Sequence, residues 1–236
     1  MRERLLGPID HAAALRELGR RRINYTPGEV VPPDWTFDEH RFHLGDEAPG
    51  PPEPGGLWET ACDALRDYEF TPPELIRAVY DARAPLLGRD LLLEGRFSVL
   101  RFYFGVRITS VVDEASDTER VWGWAYQTLE QHLERGQVRY AVVKHLGGGR
   151  VEFTATSYSQ PSPGLGPVLR LGWLLFGRRA QLRFYRRCGE RMRHLAHAGP
   201  ACLPGPARSG GLVLVPSGSR PRVLDRMTLR RHHPAR

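Results

Sequence analysis

His132 lies between two carboxylates, and this short segment is the most enzyme-like feature of the sequence. Glu130 and Glu134 flank it, each two positions away. A carboxylate can orient an imidazole so that it acts as a general base. The same pattern is typical of a solvated turn with ordinary surface charges. We favour the turn, because neither a nucleophile–base motif nor a Gly-x-Ser-x-Gly elbow accompanies the histidine.

Three other polar patterns resemble metal or phosphate sites, but their spacing favours structural roles. His40 and His43 point to opposite faces of a strand and therefore cannot share an ion. The acidic residues 113–119 lack the spacing of a calcium loop. The run Gly147–Gly149 lacks the Gly-Lys-Ser/Thr ending of a phosphate loop and precedes a strand, which indicates a hairpin turn. The sequence therefore predicts no metal ion and no cofactor.

Hydrophobic periodicity predicts the elements that position these residues. Helical spacing occurs in residues 57–68 and in a long C-terminal segment, Gly164 to His197. The apolar stripe of that segment comprises Leu171, Leu174, Leu175, Leu182, Tyr185, Cys188, Met192 and Leu195. Strand-like segments occupy residues 35–44, 75–80, 90–100, 102–112, 120–129, 139–145 and 151–159. Strands grouped without alternating helices predict an α+β fold, in which a curved antiparallel sheet grips the C-terminal helix.

The chain divides into three parts by composition. Residues 1–22 predict a short amphipathic helix, residues 23–198 a single α+β domain, and residues 199–236 a basic, disordered tail rich in Pro, Gly, Ser and Arg. Within the tail, Leu212–Val215 is an apolar island that could dock as an extra strand. No apolar run predicts a transmembrane helix or a signal peptide. The three separated cysteines favour a cytoplasmic protein.

Positive charge is concentrated near the C-terminus. Residues 161–198 contain eight Arg and one Glu, and residues 199–236 contain seven Arg and one Asp, whereas residues 1–160 are net acidic. The Arg face and the tail could therefore contact an anionic partner, such as nucleic acid, a membrane surface or an acidic protein. A solvated helix face explains the same pattern.

Several segments together resemble a known family. They are INYTPGEV, FYFGVRITSVVDE, WGWAYQTLEQHLERGQVRYAVV and VEFTATSYSQPS, followed by the long helix, and they span residues 23–195. This ordered set resembles the domain-of-unknown-function family nineteen-ninety, which occurs in bacteria and plants. The resemblance implies a helix-grip fold like those of START and Bet v 1 proteins, with a cavity for a hydrophobic ligand. The Gly and Pro residues of the family's pattern are absent after Ala125, so we expect a more helical loop there.

Pattern and resemblance together predict an apolar cavity between the sheet and the C-terminal helix. Its candidate wall residues are Phe102, Phe104, Trp122, Trp124, Tyr126, Tyr140, Phe153, Leu175 and Tyr185. The same aromatic residues could simply fill the core. Arg107, Arg139 and Glu152 are polar strand positions that could reach a ligand or face solvent. The sequence favours a non-catalytic protein that binds a small hydrophobic ligand; an enzyme, or an interaction protein that uses the Arg face, stays an alternative.

Overall fold

The computed structural model describes residues 9–97, 100–163, 178–203, 205–217 and 229–232. The helices are α1 (His11–Leu18), α2 (Leu57–Arg66) and α3 (Arg178–Ala198), with short 3-10 helices at Pro27–Glu29 and Pro200–Cys202. The strands are β1 (Thr36–Asp46), β2 (Ile76–Asp81), β3 (Asp90–Phe97), β4 (Leu100–Ala115), β5 (Glu119–Thr128), β6 (Glu134–His145), β7 (Arg150–Pro161), β8 (Ala207–Ser209), β9 (Leu212–Val215) and β10 (Leu229–His232).

The strands of the described chain form one curved sheet. Their order is β1-β7-β6-β5-β4-β3-β2-β9-β8, and β10 pairs in parallel with β4. The neighbours along the main path run antiparallel, and irregularities in register interrupt β1 after His43 and β4 after Ile108. Bulges of this kind increase strand bending. The sheet grips α3, which confirms the predicted α+β helix-grip architecture.

Alternation along the strands creates an apolar inner face beneath the helices. Trp124 of β5 is the register partner of Tyr140 on β6, which in turn faces Ala155 on β7. Side chains at every second position of these strands therefore share a face. α2 and α3 cover that face with Leu65 and Met192 among other residues of the same buried core. The predicted hairpin of β6 and β7 is confirmed, with residues 146–149 as its turn.

The apolar stripe of α3 agrees with the prediction over the part that the structure describes. Its buried members are Tyr185, Cys188, Met192 and Leu195. Leu182 was assigned to the same stripe, and that prediction is wrong, because the residue is 42% exposed. Residues 164–177, including the remaining predicted stripe residues, lie outside the described chain.

Gly189 allows α3 to approach β1 closely. A Cβ atom at this position would lie 2.3 Å from Cδ1 of Phe42, far inside van der Waals contact. The ring is itself held from below, 6.1 Å from the Phe153 ring between centroids. The absence of a side chain at residue 189 therefore sets the distance between the helix and the sheet.

α1 covers part of the outer face of the sheet. Ala14 and Leu18 join a separate buried cluster that includes Leu92 and Tyr103. Arg107 of β4 donates from its guanidinium to the Leu18 carbonyl, with an Nη2–O distance of 3.1 Å. This bond satisfies one of the carbonyl groups that the end of a helix leaves unpaired. The strand thus fixes the end of α1.

A buried ion pair connects the sheet to the start of α2. Lys144, the sole lysine of the chain, is fully buried, and its Nζ lies 2.6 Å from Oε2 of Glu47. Nζ also donates to the Pro51 carbonyl, and Glu47 accepts from the backbone N–H of Trp58 in the first turn of α2. Burial alone would raise the pKa of Glu47, but these hydrogen bonds outweigh it and lower the pKa.

Part of the C-terminal tail belongs to the sheet, in contrast to the prediction of disorder from its composition. β9 pairs with β2, and β8 pairs with β9. Val213 and Val215 are buried, so the apolar island docks as the sequence alternative proposed. Ser217 is held by the buried Glu69, whose Oε2 accepts from the Ser217 N–H at 2.8 Å. Apolar side chains at every second position stabilise this edge despite the Gly and Pro residues around it.

The segment between β5 and β6 is a tight turn, and the expectation of a more helical loop is wrong. β5 ends at Thr128, and β6 begins at Glu134. Gln131 has a φ of 66°, in the left-handed region, and the His132 N–H donates to the Leu129 carbonyl at 3.1 Å. Left-handed backbone at one residue reverses the chain without a family glycine.

Within the described chain, no helix is long and apolar enough to cross a membrane.

We expect Gly189→Ala to destabilise the protein by about 1–3 kcal/mol, because the added methyl overpacks the contact with Phe42. Helix propensity alone would favour Ala by about 1 kcal/mol, so the sign of the effect is diagnostic. Urea unfolding measures the free energy. Phe42→Leu should cost less in the Gly189→Ala background than in the wild type. Arg183→Ala, on the exposed face of the same helix, is the control. A stabilising Gly189→Ala would contradict the close approach.

We expect Lys144→Met to destabilise the protein by about 3–5 kcal/mol, because it leaves the Glu47 carboxylate buried without its cation. The double variant Lys144→Met/Glu47→Gln removes both charges and should recover part of this loss. Guanidinium unfolding of the three proteins at neutral pH tests the prediction. A loss below about 1 kcal/mol for the single variant would instead match an exposed ion pair.

Candidate functional site

Most of the predicted wall residues meet on the inner face of the sheet, below α2 and α3. Six of them are buried there, namely Trp122, Trp124, Tyr126, Tyr140, Phe153 and Tyr185. Phe104 is partly buried against the same core. Leu175 and the side chain of Phe102 lie outside the described structure, although the backbone of Phe102 belongs to β4. The sequence prediction therefore gathered residues that are neighbours in space.

The half of this interior near α2 is filled by stacked and edge-on rings. Phe70 is central, with ring-centroid distances of 4.7 Å to Tyr140 and 5.4 Å to Phe153. Tyr68 stacks on Trp124 at 5.8 Å, and the Trp124 indole donates to the Leu65 carbonyl of α2 at 3.2 Å. Each such ring pair contributes about 0.5–1.5 kcal/mol beyond its buried area. This half is core.

The other half, beneath the first described turns of α3, carries polar groups. Tyr185 of α3 donates its hydroxyl to Oγ of Ser157 on β7, at 3.0 Å. Two residues further along β7, Ser159 hydrogen-bonds the carboxyl group of Glu134, the first residue of β6. Strand alternation explains the grouping, because Ser157 and Ser159 follow Phe153 on its face of β7. We call Tyr126, Glu134, Ser157, Ser159 and Tyr185 the polar end of the inner face.

Glu134 supplies the carboxyl group of the polar end, and the pKa of this group is raised. Glu134 as a whole residue is half-buried, but protein atoms crowd its carboxyl group and raise its pKa to about 8. The hydrogen bond from Ser159 lowers the pKa and offsets only part of this effect. Desolvation disfavours the charged form of an acid, so the group holds its proton at neutral pH. Glu134 can then donate a hydrogen bond.

Two phenol hydroxyls beside the polar end are buried without a hydrogen bond of good geometry. They belong to Tyr68 and Tyr140, and neither finds a well-oriented partner within the described ranges. Both approach the hydroxyl of Tyr126. Burial raises the pKa of Tyr126 to about 12, hydrogen bonding from Tyr140 and Tyr68 lowers it in part, and the Glu134 charge raises it. An unpaired buried hydroxyl costs about 1–3 kcal/mol. Native structures keep such groups chiefly where water, an ion or a ligand pairs with them.

Tyr68 is also held in a costly backbone conformation. Its φ is 61°, in the left-handed region, at the position after the C-cap of α2. Tyr68 N–H donates to Leu65 O, and Glu69 N–H donates to Ala64 O, which is the Schellman pattern that normally uses glycine. A non-glycine residue there costs about 1–3 kcal/mol, and such strain concentrates at functional sites. The turn aims the Tyr68 ring inward.

The carboxylate–histidine cluster suggested by the sequence does not form. Glu130 is exposed and accepts from the backbone N–H of Arg22, with an N–Oε2 distance of 3.2 Å. His132 accepts from the Glu134 backbone N–H through Nδ1 and packs against Phe104. The Glu134 side chain enters the inner face instead. The turn therefore directs the three side chains to different parts of the molecule.

The polar strand positions considered for ligand contact face away from the interior. Arg107 is bound to Asp90 and α1 on the outer face. Arg139 is exposed, and Glu152 lies 3.1 Å from Nε2 of His145 and 2.7 Å from Arg150. Arg139 is therefore solvated, and Arg107 and Glu152 have structural roles.

Sequence reasoning missed several inner-face residues. Helical spacing places Tyr68 on the apolar face of the segment 57–68, but it was not among the predicted wall residues, and Phe70 lies beyond the end of that periodic segment. Glu134 could have been found, because Glu134 and Gly136 precede Val138 and Tyr140 at two-residue steps. Ser157 and Ser159 extend the alternation of Phe153 in the same way. A buried polar residue within an alternating apolar face was the available signal.

Metal and thiol chemistry find no support in the described part of the chain. No group of three His, Cys, Asp or Glu side chains there is arranged to hold an ion. His40 stacks on Tyr185 at the inner face, whereas His43 is exposed beside Asp46. Burial raises the pKa of the Cys188 thiol, so it is unreactive.

A cleft of about 320 Å³ lies at the rim of the fold, between the start of α2 and the end of α3. Its lining includes Glu47, Glu53 and His197. Glu47 is committed to Lys144 and to backbone N–H groups, and His197 faces the Leu44 carbonyl at 2.7 Å. We regard this cleft as a structural junction, because its polar groups already have partners.

The Arg-rich face of α3 is only partly available to a partner. Arg193 donates to the His43 carbonyl of β1, and Arg191 donates to the Glu69 carbonyl at 2.6 Å. Four others are exposed, namely Arg179, Arg183, Arg186 and Arg187, and the last two approach Glu190. Binding of an anionic partner through this face stays a hypothesis.

Comparison with solved structures returns proteins of low sequence identity. Ara h 8.0201 is 12% identical, with a TM-score of 0.39, over 70% of this chain and 99% of that one. The Zhui aromatase/cyclase from Streptomyces sp. R1128 is 15% identical, with a TM-score of 0.42, over 68% and 96%. A hypothetical protein from Helicobacter pylori is 13% identical, with a TM-score of 0.44, over 73% and 95%. No curated protein matches the chain.

A family model gives the firmer assignment. It matches residues 20–191, which include the strands β1 to β7 and most of α3, and it nearly coincides with the span of the resemblance seen in the sequence. The chain belongs to the family described as domain of unknown function, DUF1990.

Proposed function

We propose that this protein binds a small, largely hydrophobic molecule at the polar end of the inner face. The observation that carries the proposal is the cluster of buried hydroxyls of Tyr68, Tyr126 and Tyr140 beside the desolvated Glu134, in which Tyr68 and Tyr140 lack a hydrogen bond of good geometry. A core built only for stability would gain by replacing such groups with apolar ones. A ligand that pairs with them explains why they are present.

The surroundings of these groups suit an apolar ligand. Phe104 and Val138 are partly buried at the edge of the core, and the Tyr185 ring forms the α3 side. Small-molecule sites are mostly apolar, with a few convergent polar groups that fix orientation. The filled half around Phe70 would serve as a rigid back wall.

Binding without catalysis is the simpler function for this arrangement. Cys188 is the nearest thiol to the phenol groups that the structure describes, and its raised pKa removes it as a nucleophile. Protonated Glu134 can donate a hydrogen bond, and its role in a binding protein is to orient the ligand.

We expect a neutral solvatochromic naphthalene dye to bind the wild type and to shift its emission to the blue. Ser159→Phe places a ring at the polar end and should weaken binding by about tenfold or more, which corresponds to about 1.4 kcal/mol. Thr156→Phe adds the same ring to the outer face of β7 and is the matched control. Fluorescence titration gives the dissociation constants. Absence of wild-type binding, or equal effects of the two variants, would contradict the proposal.

We expect Glu134 to make the stability of the protein fall with rising pH. The folded state keeps the proton up to a pKa of about 8, whereas the unfolded state releases it near 4.5. Because the folded state binds more protons in this window, its stability decreases as pH rises through it. Glu134→Gln should lose this slope, and Glu130→Gln, at an exposed position, should keep it. Melting temperature against pH for the three proteins is the measurement; parallel curves for wild type and Glu134→Gln would refute the assignment.

A further inference from the structure

We propose that the outer edge of β1 is an interface at which two copies of this chain pair antiparallel, about a two-fold axis at His40. The two sheets then join into one. Three observations on residues 36–43 lead to this inference, namely an uncovered strand edge, exposed side chains along it, and an order of charges that is complementary to itself. The inference does not depend on the proposed ligand.

The two edges of the sheet differ in how they are covered. At one edge, β9 and β8 extend the sheet beyond β2, and the outermost strand, β8, has only three residues. Short edge strands offer little to pair with. At the other edge, β1 has 11 residues, and within the described ranges β7 is the one strand that pairs with it. The outer side of β1 therefore presents a row of backbone groups to which another strand can bind.

Strand alternation identifies the backbone groups that face this edge. In an antiparallel pair, the N–H and C=O groups of successive residues point alternately toward the partner strand and away from it. The carbonyl of His43 accepts from Arg193 of α3, with an Nη2–O distance of 2.6 Å, and so points away from β7. Phe37, Glu39 and Arg41 precede His43 at two-residue steps, in an uninterrupted register with β7. Their N–H and C=O groups therefore face the open edge.

The side chains along this edge are accessible to a second copy. Phe37 is 53% exposed, and the side chains of Glu39 and Arg41 are 54% and 58% exposed. The Phe37 ring rests against Tyr158 of β7, with 6.3 Å between the ring centroids. An exposed ring beside unpaired backbone groups gives a second copy apolar area as well as hydrogen bonds.

The charges on β1 select one register for the pair. Antiparallel pairing about His40 places Glu39 of each copy opposite Arg41 of the other, and Phe37 opposite His43. Opposite charges that face each other across two strands attract, whereas like charges repel. An axis at Glu39 would bring two glutamates together, and an axis at Arg41 would bring two arginines together. The axis at His40 therefore makes the edge complementary to a second copy of itself, as a two-fold interface requires.

Sedimentation velocity of the full chain over a range of concentrations measures this association. We expect a dimer that dissociates on dilution, since one strand pair buries less surface than the interface of a permanent dimer. Glu39→Arg and Arg41→Glu each place like charges opposite each other and should weaken the dimer by about tenfold or more. Arg83→Glu is the matched control, because Arg83 is exposed and also pairs with a carboxylate two residues away, but after β2. It should leave the dimer unchanged.

Mixing the two single variants separates pairing between copies from effects within one chain. In a dimer of Glu39→Arg with Arg41→Glu, each introduced charge faces an opposite charge, so the mixture should associate although neither variant does so alone. The double variant Glu39→Arg/Arg41→Glu should likewise recover association with itself. All of these proteins should melt close to the wild type, because both side chains are exposed.

Amide hydrogen exchange locates the pairing on β1. The N–H groups of Glu39 and Arg41 should exchange more slowly as the protein concentration rises, whereas that of His40, which faces β7, should exchange at a constant rate. A wild type that is monomeric at its highest soluble concentration would overturn the inference. A dimer that is insensitive to both charge reversals, or that mixing does not restore, would overturn it as well.

Discussion

The fold depends on covering the apolar inner face of a large, curved sheet. Strand alternation places Trp124, Tyr140 and Phe153 on one side, and their rings must be removed from water. α2 and α3 do this, and both are fixed to the sheet by specific contacts. The Lys144–Glu47 pair holds the start of α2, and Gly189 lets α3 approach Phe42. The position of the helices is thus set by a few close contacts within a broad apolar interface.

The same interface contains groups that a purely structural core would exclude. The hydroxyls of Tyr68 and Tyr140 lack hydrogen bonds of good geometry, the carboxyl group of Glu134 is desolvated, and Tyr68 has a left-handed backbone. Each of these features reduces stability, and all of them occur around Tyr126. Proteins are marginally stable, so several such costs at one place indicate that the place is used. The ring-filled half near α2 supplies the rigidity that allows it.

The sequence predicted the fold through simple periodicity. Alternation in β6 and β7, with glycines between them, defined the hairpin, and the α+β class followed from the absence of intervening helices. It did not predict β8 and β9 as a pair, because Gly and Pro dominate local composition and the pairing with β2 is a long-range contact. Arg191 and Arg193 belong to the Arg-rich segment of residues 161–198, yet both bind carbonyl groups of the body. Such partners are set by tertiary structure and leave no local pattern.

Only the aromatic part of the candidate site was predicted from the sequence. Trp124, Tyr126 and Tyr140 stood out by type and spacing, whereas Glu134 was grouped with His132 because the two are close in sequence. The left-handed Gln131 turns the chain and sends the Glu134 side chain into the interior. Tyr68 was predicted on a helix face and not as a wall residue, and Phe70 was missed because it follows the helix end, where neither helical nor strand periodicity applies.

A crystal structure of the protein with the neutral naphthalene dye bound tests the central claim most directly. We predict density for the dye between the sheet and α3, in contact with the polar end of the inner face. Side chains that fill this space completely, or a ligand bound only outside the inner face, would contradict the account.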